Sequence, residues 1–199
     1  MTALPAELAE RTADLADLAA RVRRCTACPE LAATRTHAVP GLLPHGAALL
    51  LVGEAPGAQE DLAGVPFVGR AGLLLDELLA AAGLDRSAVA VANVLKCRPP
   101  GNRKPTRAEV GRCRPWLDRQ LALAAPRVVV TLGGTAAEWA FAPGVRIADV
   151  RGRVHDRGDH RLVATYHPSA ALRFGPKGAP RAALAEDLGL AAATLCGAS

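Results

Sequence analysis

The chain has 199 residues, half of them hydrophobic but only 3% aromatic, and a formal net charge of +5. That length suits one domain with a real core, filled by Leu, Val and Ala. No apolar run approaches a membrane span, and early acids in the N-terminal stretch exclude a secretory signal, so a cytoplasmic location and no membrane partner are expected. The basic excess fits a polyanion such as nucleic acid, although an Arg-heavy, Lys-poor composition would produce it too.

Leu8, Leu15, Leu18 and Val22 share one face of an N-terminal helix. The helix runs into Cys25-x-x-Cys28, so residues 1–28 read as a helical segment of one domain spanning 1–199. The first strand is 47–52 (AALLLV). It ends at Gly53 and Glu54, and a carboxylate at a strand end can activate a water or stabilise a cation. Glu60 and Asp61 follow, one expected inward and one outward, either of them able to cap a helix or pair with Arg70. Phe67 stands between Pro66 and Val68-Gly69, in a constrained loop. A ring held there can stack on a planar ligand or plug the core.

AGLLLDELLAAAG (71–83) reads as a helix stopped by Gly83. The second strand is 89–95 (VAVANVL), with Asn93 near its carboxyl end. Asn is disfavoured in strands, and its amide offers a donor and an acceptor to the edge of a base. The loop RPPGNRKPTR then gathers Arg98, Arg103, Lys104 and Arg107. Thr106 and Glu109 form a capping box for the helix 106–124. The third strand is 127–132 (RVVVTL), followed by a helix over 134–141, and the fourth is 161–165 (RLVAT). His167, before Pro168, is placed to donate a hydrogen bond to an oxyanion. The loop through Leu172 and Arg173 can offer an apolar wedge and a phosphate contact to DNA. A helix over 179–195 closes the chain.

Continuous apolar strands alternating with helices predict an α/β fold, an open parallel sheet with helices on both faces. The polar, Gly- and Pro-rich segments all follow strands, so they meet at the carboxyl edge of the sheet, where such folds bind ligands.

Of five cysteines, Cys25, Cys28, Cys97 and Cys113 form two pairs, and Cys196 reads as a bystander. Without a secretion signal, disulfides are not expected. Four sulfurs suit an iron–sulfur cluster or zinc, and buried structural thiols would share the pattern.

GEAPGAQED, PFVGRAG, NVLKCRPPGNRKP, LGGTAA and TYHPSAALR, with the four cysteines, resemble the iron–sulfur-containing type-4 uracil-DNA glycosylases, from about Cys25 to the last helix. The resemblance implies a three-layer α/β/α sandwich around a four-stranded parallel sheet. It implies a monomer that acts on uracil-containing DNA, flips the base out and hydrolyses its N-glycosidic bond without a cofactor for that step. Gly53, Glu54, Ala55 and Glu60 would line the uracil pocket, with Glu54 positioning the water. Phe67 would stack on uracil, Asn93 would read its pairing edge and His167 would donate to the oxygen that gains charge. Leu172, Arg173, Arg103 and Lys104 would meet DNA, and the four cysteines would hold a structural [4Fe-4S] cluster. A covalent uracil-DNA-binding branch of the superfamily carries Gln after the motif Glu and a histidine-containing insertion after the second strand. This chain has Ala55 and CRPPGNRKPT. A non-catalytic iron–sulfur DNA-binding module is the other alternative.

Overall fold

The computed structural model describes residues 6–197, with the side chains of 6–9, and hence the predicted role of Leu8, outside that description. The elements are α1 (Ala6–Arg23), α2 (Pro29–Thr34), β1 (Leu49–Gly53), α3 (Ala58–Ala63), α4 (Arg70–Ala81), β2 (Ala90–Asn93), α5 (Arg107–Ala124), β3 (Val128–Leu132), α6 (Gly134–Ala140), α7 (Ile147–Val150), β4 (Val154–Asp156), β5 (Arg161–Thr165), α8 (Pro168–Phe174) and α9 (Ala179–Gly197).

The sheet order is β2-β1-β3-β5-β4. β2, β1, β3 and β5 are parallel, as their apolar runs predict, and every residue of β1, β2 and β3 is buried. The fifth strand corrects the expected count of four. β4 pairs antiparallel with β5 at the sheet edge. It escapes the sequence pattern because its three residues are exposed or half-buried and carry no apolar run. A turn at Asp156–Gly158 links it to β5, with the Asp156 carboxylate accepting from the Gly158 amide at 2.8 Å.

Alternate strand residues feed two cores. Leu50, Val52, Ala92, Val129 and Leu162 pack on one face with Val22 of α1, Leu31 of α2, Leu117 of α5 and Trp139 of α6. Leu49, Leu51, Val91, Val130 and Val163 pack on the other with Leu75 and Leu79 of α4, Ala171 of α8 and Leu184 and Leu188 of α9. The result is the three-layer α/β/α arrangement. The chain leaves β1 toward β2 on one side and returns to β3 on the other. The order therefore reverses between β1 and β3, and a crevice opens beyond their carboxyl ends.

Helix ends follow local chemistry. After α4, Gly83 adopts φ +74°, and Leu84 N–H and Gly83 N–H reach back to the Leu79 and Ala80 carbonyls. At α5 the capping box forms: Thr106 Oγ1 accepts from Glu109 N at 3.2 Å, and Glu109 accepts from Thr106 N at 2.8 Å. Glu109 also takes a two-pronged contact from Arg103 at 2.7 and 2.9 Å. No described helix is long and apolar enough to cross a membrane.

The Arg103 contact, ahead of the cap, holds the Glu109 carboxyl down to about 2, from an ordinary 4.5. A carboxylate depressed in the folded state stabilises above its unfolded value and loses that contribution as pH falls. Glu109→Gln should lower the melting temperature at pH 7, and the gap to the parent should close as pH falls from 4.5 toward 2. A gap that stays constant with pH, followed by thermal unfolding, would contradict this role.

Candidate active site

At the switch point a cleft of about 550 Å³ is lined by Glu54, Ala55, Glu60, Phe67, Asn93, Gly133, His167 and Arg173, among others. All four parallel strands contribute through the segments at their carboxyl ends. The residues predicted from sequence for catalysis and base contact therefore come together, except that Gly53 does not line the cleft and lies behind Phe67 and Asn93.

Phe67 is the most constrained of them. Its backbone is left-handed, at φ +56°, which costs a residue with a Cβ. Its ring presses on β1: a Cβ at Gly53 would lie 2.7 Å from the ring and run into the Asn93 side-chain oxygen. A Cβ at Gly72, in the first turn of α4, would overlap the Phe67 carbonyl. The glycines of the motif thus make room for one aromatic. The loop is held by Glu60, whose carboxylate accepts from Val68 N at 3.0 Å, Gly69 N at 2.9 Å and Gly57 N at 3.1 Å. Both predicted acids are therefore occupied by backbone amides. Asp61, 3% exposed, accepts from Thr36 N and His37 N.

Asn93 ends β2 at 3% exposure, and its Oδ1 is buried without a protein partner. A buried carbonyl oxygen left unpaired is costly, so it marks a place where a ligand donor belongs.

His167 Nδ1 accepts from the Ser169 amide at 3.1 Å, with Ser169 Oγ 2.8 Å away. An amide N–H can only donate, so the neutral ring carries its proton on Nε2. The residue as a whole is half-buried. Desolvation of the ring nevertheless pushes its pKa from 6.5 down to about 4, against the opposing pull of Glu60. Its ring lies 5.9 Å from that of Phe67. At neutral pH the cleft thus holds an uncharged imidazole donor.

Glu54 Oε2 accepts a 2.5 Å hydrogen bond from Thr135 Oγ1, at the start of α6. Sequence reading missed Thr135 and the orienting role of Ser169. Their signals were a hydroxyl just past the Gly133-Gly134 strand end and a serine two residues after a histidine.

The predicted DNA contacts separate. Arg173 is exposed at the cleft. Arg103 lines it but is engaged by Glu109 and Glu30, and Lys104 pairs with Glu138 at 3.6 Å. Leu172 is half-buried against the core, and Phe174, next along α8, is 65% exposed.

Cys25, Cys28, Cys97 and Cys113 border one small apolar pocket with Leu31, Leu95 and Trp116. Cys196 is exposed on α9. Burial raises the thiol pKa of Cys28, Cys97 and Cys113, the last to about 11. Cations surround the pocket: Arg35 donates to Cys97 Sγ at 2.8 Å, Arg112 lies on Cys28, and buried Lys96 lies beside Cys113. Among the described residues no group of three or more His, Cys, Asp or Glu side chains is set as ligands of a single metal ion.

A family model described as the Uracil DNA glycosylase superfamily matches residues 40–189. A type-4 uracil-DNA glycosylase of Archaeoglobus fulgidus is 44% identical over 166 residues, 79% of this chain and 83% of the relative. One of Thermotoga maritima is 46% identical over 156 residues, 77% of this chain and 80% of the relative. One of Pyrobaculum aerophilum is 40% identical over 185 residues, 89% and 92% of the two chains. With a match across most of its length and relatives of this closeness, the chain belongs to the uracil-DNA glycosylase superfamily, alongside its type-4 members.

Proposed function

We propose that this chain excises uracil from DNA by hydrolysing the N-glycosidic bond, as a cytoplasmic, monomeric repair enzyme. The observation that carries the reading is the buried, unpartnered Asn93 oxygen facing a cleft walled by Phe67 and a neutral His167.

A base inside a duplex is out of reach, so it must be flipped into the cleft. There Phe67 offers a flat wall, and the Asn93 amide pairs with the uracil N3–H and its neighbouring carbonyl. Cytosine presents an acceptor and an amine at those positions and would leave buried polar groups mispaired. As the bond from N1 to the sugar breaks, its electron pair moves onto the base, and negative charge gathers on the uracil oxygens. The His167 Nε2–H donates to that charge, and a neutral donor does so without a proton leaving the protein. The sugar carbon is left electron-poor. A water held by Glu54 adds to it, and the carboxylate takes the water's proton. Thr135 fixes which Glu54 oxygen remains for the water. On the exposed side of the cleft, Arg173 meets phosphate, and the end of α8, with Leu172 and exposed Phe174, fills the space that the base vacates.

The four cysteines suit a [4Fe-4S] cluster. Four thiols meet in one apolar pocket, and thiols so reluctant to ionise alone become thiolates on binding metal. Arg35, Arg112 and Lys96 offset the charge they would gain. When bound, the group supplies a structural tie among α1, α5 and the segment after β2. The excision itself uses only water and protein side chains.

Covalent capture finds no support in the loop after β2, which contains no histidine. In single-turnover excision from a duplex with one uracil, Glu54→Gln and His167→Ala should each slow release by about 10²- to 10⁴-fold. Their thermal unfolding should stay close to that of the parent. Full activity in both variants would contradict the site. The excision rate should also show no His167 ionisation between about pH 8 and about pH 5. A rate that falls as pH rises through 6.5, in the parent but not in His167→Ala, would show that the ring works as a cation instead.

A further inference from the structure

Lys96 is the largest side chain buried below 2% exposure, and the excision step above gives it no task. It borders the cysteine pocket rather than the cleft. Its ammonium donates to the Asn93 carbonyl at 2.7 Å and to Gln120 Oε1 at 2.6 Å. Gln120, on α5 and equally buried, passes the contact on by donating to the Pro40 carbonyl at 2.5 Å. The backbone of Lys96 is tied as well. Its N–H reaches Cys113 Sγ at 3.3 Å, and its carbonyl accepts from Val39 N at 2.7 Å. One residue therefore touches a cysteine of the four-thiol pocket and the backbone of the residue placed to read the base.

The geometry gives that link a direction. The peptide unit after Asn93 is held from both sides: its carbonyl by Lys96 Nζ, and its N–H, that of Val94, by the Gly53 carbonyl at 2.9 Å. Clamping this unit fixes how β2 ends, and so the line along which the Asn93 side chain leaves the backbone. The Asn93 Oδ1 has no protein partner of its own to hold it. Its aim comes from the backbone behind it and from the close approach of Gly53. An apolar side chain of similar length would fill the Lys96 space with no charge to desolvate. It would not hold a carbonyl.

We propose that Lys96 is a positioning residue: through the Asn93 carbonyl and Gln120 it aims the Asn93 amide into the cleft, and it carries the order of the cysteine-bearing segments to base recognition. This rests on the reading of Asn93 as the group that recognises uracil.

The test measures binding rather than turnover. Fluorescence anisotropy would compare a duplex carrying one non-cleavable 2′-fluoro-2′-deoxyuridine with the same duplex without it. Lys96→Met and Gln120→Leu should each reduce the preference for the uracil duplex by about tenfold, the scale of one hydrogen bond to a charged group. They should retain the parent's visible absorbance and its affinity for the undamaged duplex. Gln120→Glu keeps an acceptor for the ammonium but gives up the bond to the Pro40 carbonyl, and should keep more of the preference than Gln120→Leu. Adding Lys96→Met to Asn93→Ala should cost nothing further, because Lys96 acts through Asn93. A Lys96 role confined to stability would lower the melting temperature and leave the preference unchanged in Lys96→Met and Gln120→Leu, and that result would overturn the proposal. If Lys96→Met does not fold, the contrast between Gln120→Leu and Gln120→Glu decides. If Asn93→Ala keeps the full preference, the base-reading role of Asn93 fails, and the role of Lys96 fails with it.

Discussion

The cleft depends on how closely one aromatic ring approaches the backbone around it. Phe67 sits with its ring against Gly53 and its carbonyl against Gly72, and neither position has room for a Cβ. That contact spends a left-handed backbone conformation on a bulky residue, and the Glu60 carboxylate holds the loop in place by gathering three amides. A flat wall, the Asn93 side chain and the end of β1 are thereby fixed relative to one another before a ligand arrives. Preorganisation of this kind lets a site bind charge as it develops, with no reorganisation left to do.

The charge pattern divides the molecule into two centres. In the cleft the imidazole is kept neutral, its donor defined by a serine amide on the opposite nitrogen. Around the thiols the pattern is reversed, with Arg35, Arg112 and Lys96 set about groups that burial keeps protonated. The segment after β2 joins the centres, because Asn93, Lys96 and Cys97 lie within five residues of one another. A strand end shared by recognition and by the cysteine pocket makes the two hard to perturb separately.

Much of this was legible in the residues. The four parallel strands are buried on both faces, so they read as unbroken apolar runs. Glu54, Phe67, Asn93 and His167 stood out because each is the wrong residue type for the element it ends or follows. What stayed hidden depends on contacts between distant parts of the chain. β4 is a short polar edge that exists only through its pairing with β5. The segment after His167 read as a loop and is α8, a helix whose signal was Pro168 at its first position. Arg103 and Lys104 read as free cations because two of their partners, Glu30 and Glu138, come from other parts of the sequence. Lys96 was not singled out within NVLKCRPPGNRKP, because its burial is decided by contacts with Gln120 and, through it, Pro40.

A cleft built this way should release uracil as the free base. The most direct measurement follows the purified protein on a labelled oligonucleotide with one uracil, resolving released base, alkali-sensitive strand and protein–DNA adduct under denaturing conditions. Free uracil, an abasic strand that breaks in alkali and no adduct are expected. An adduct that survives denaturation, or no release from folded protein, would contradict this reading.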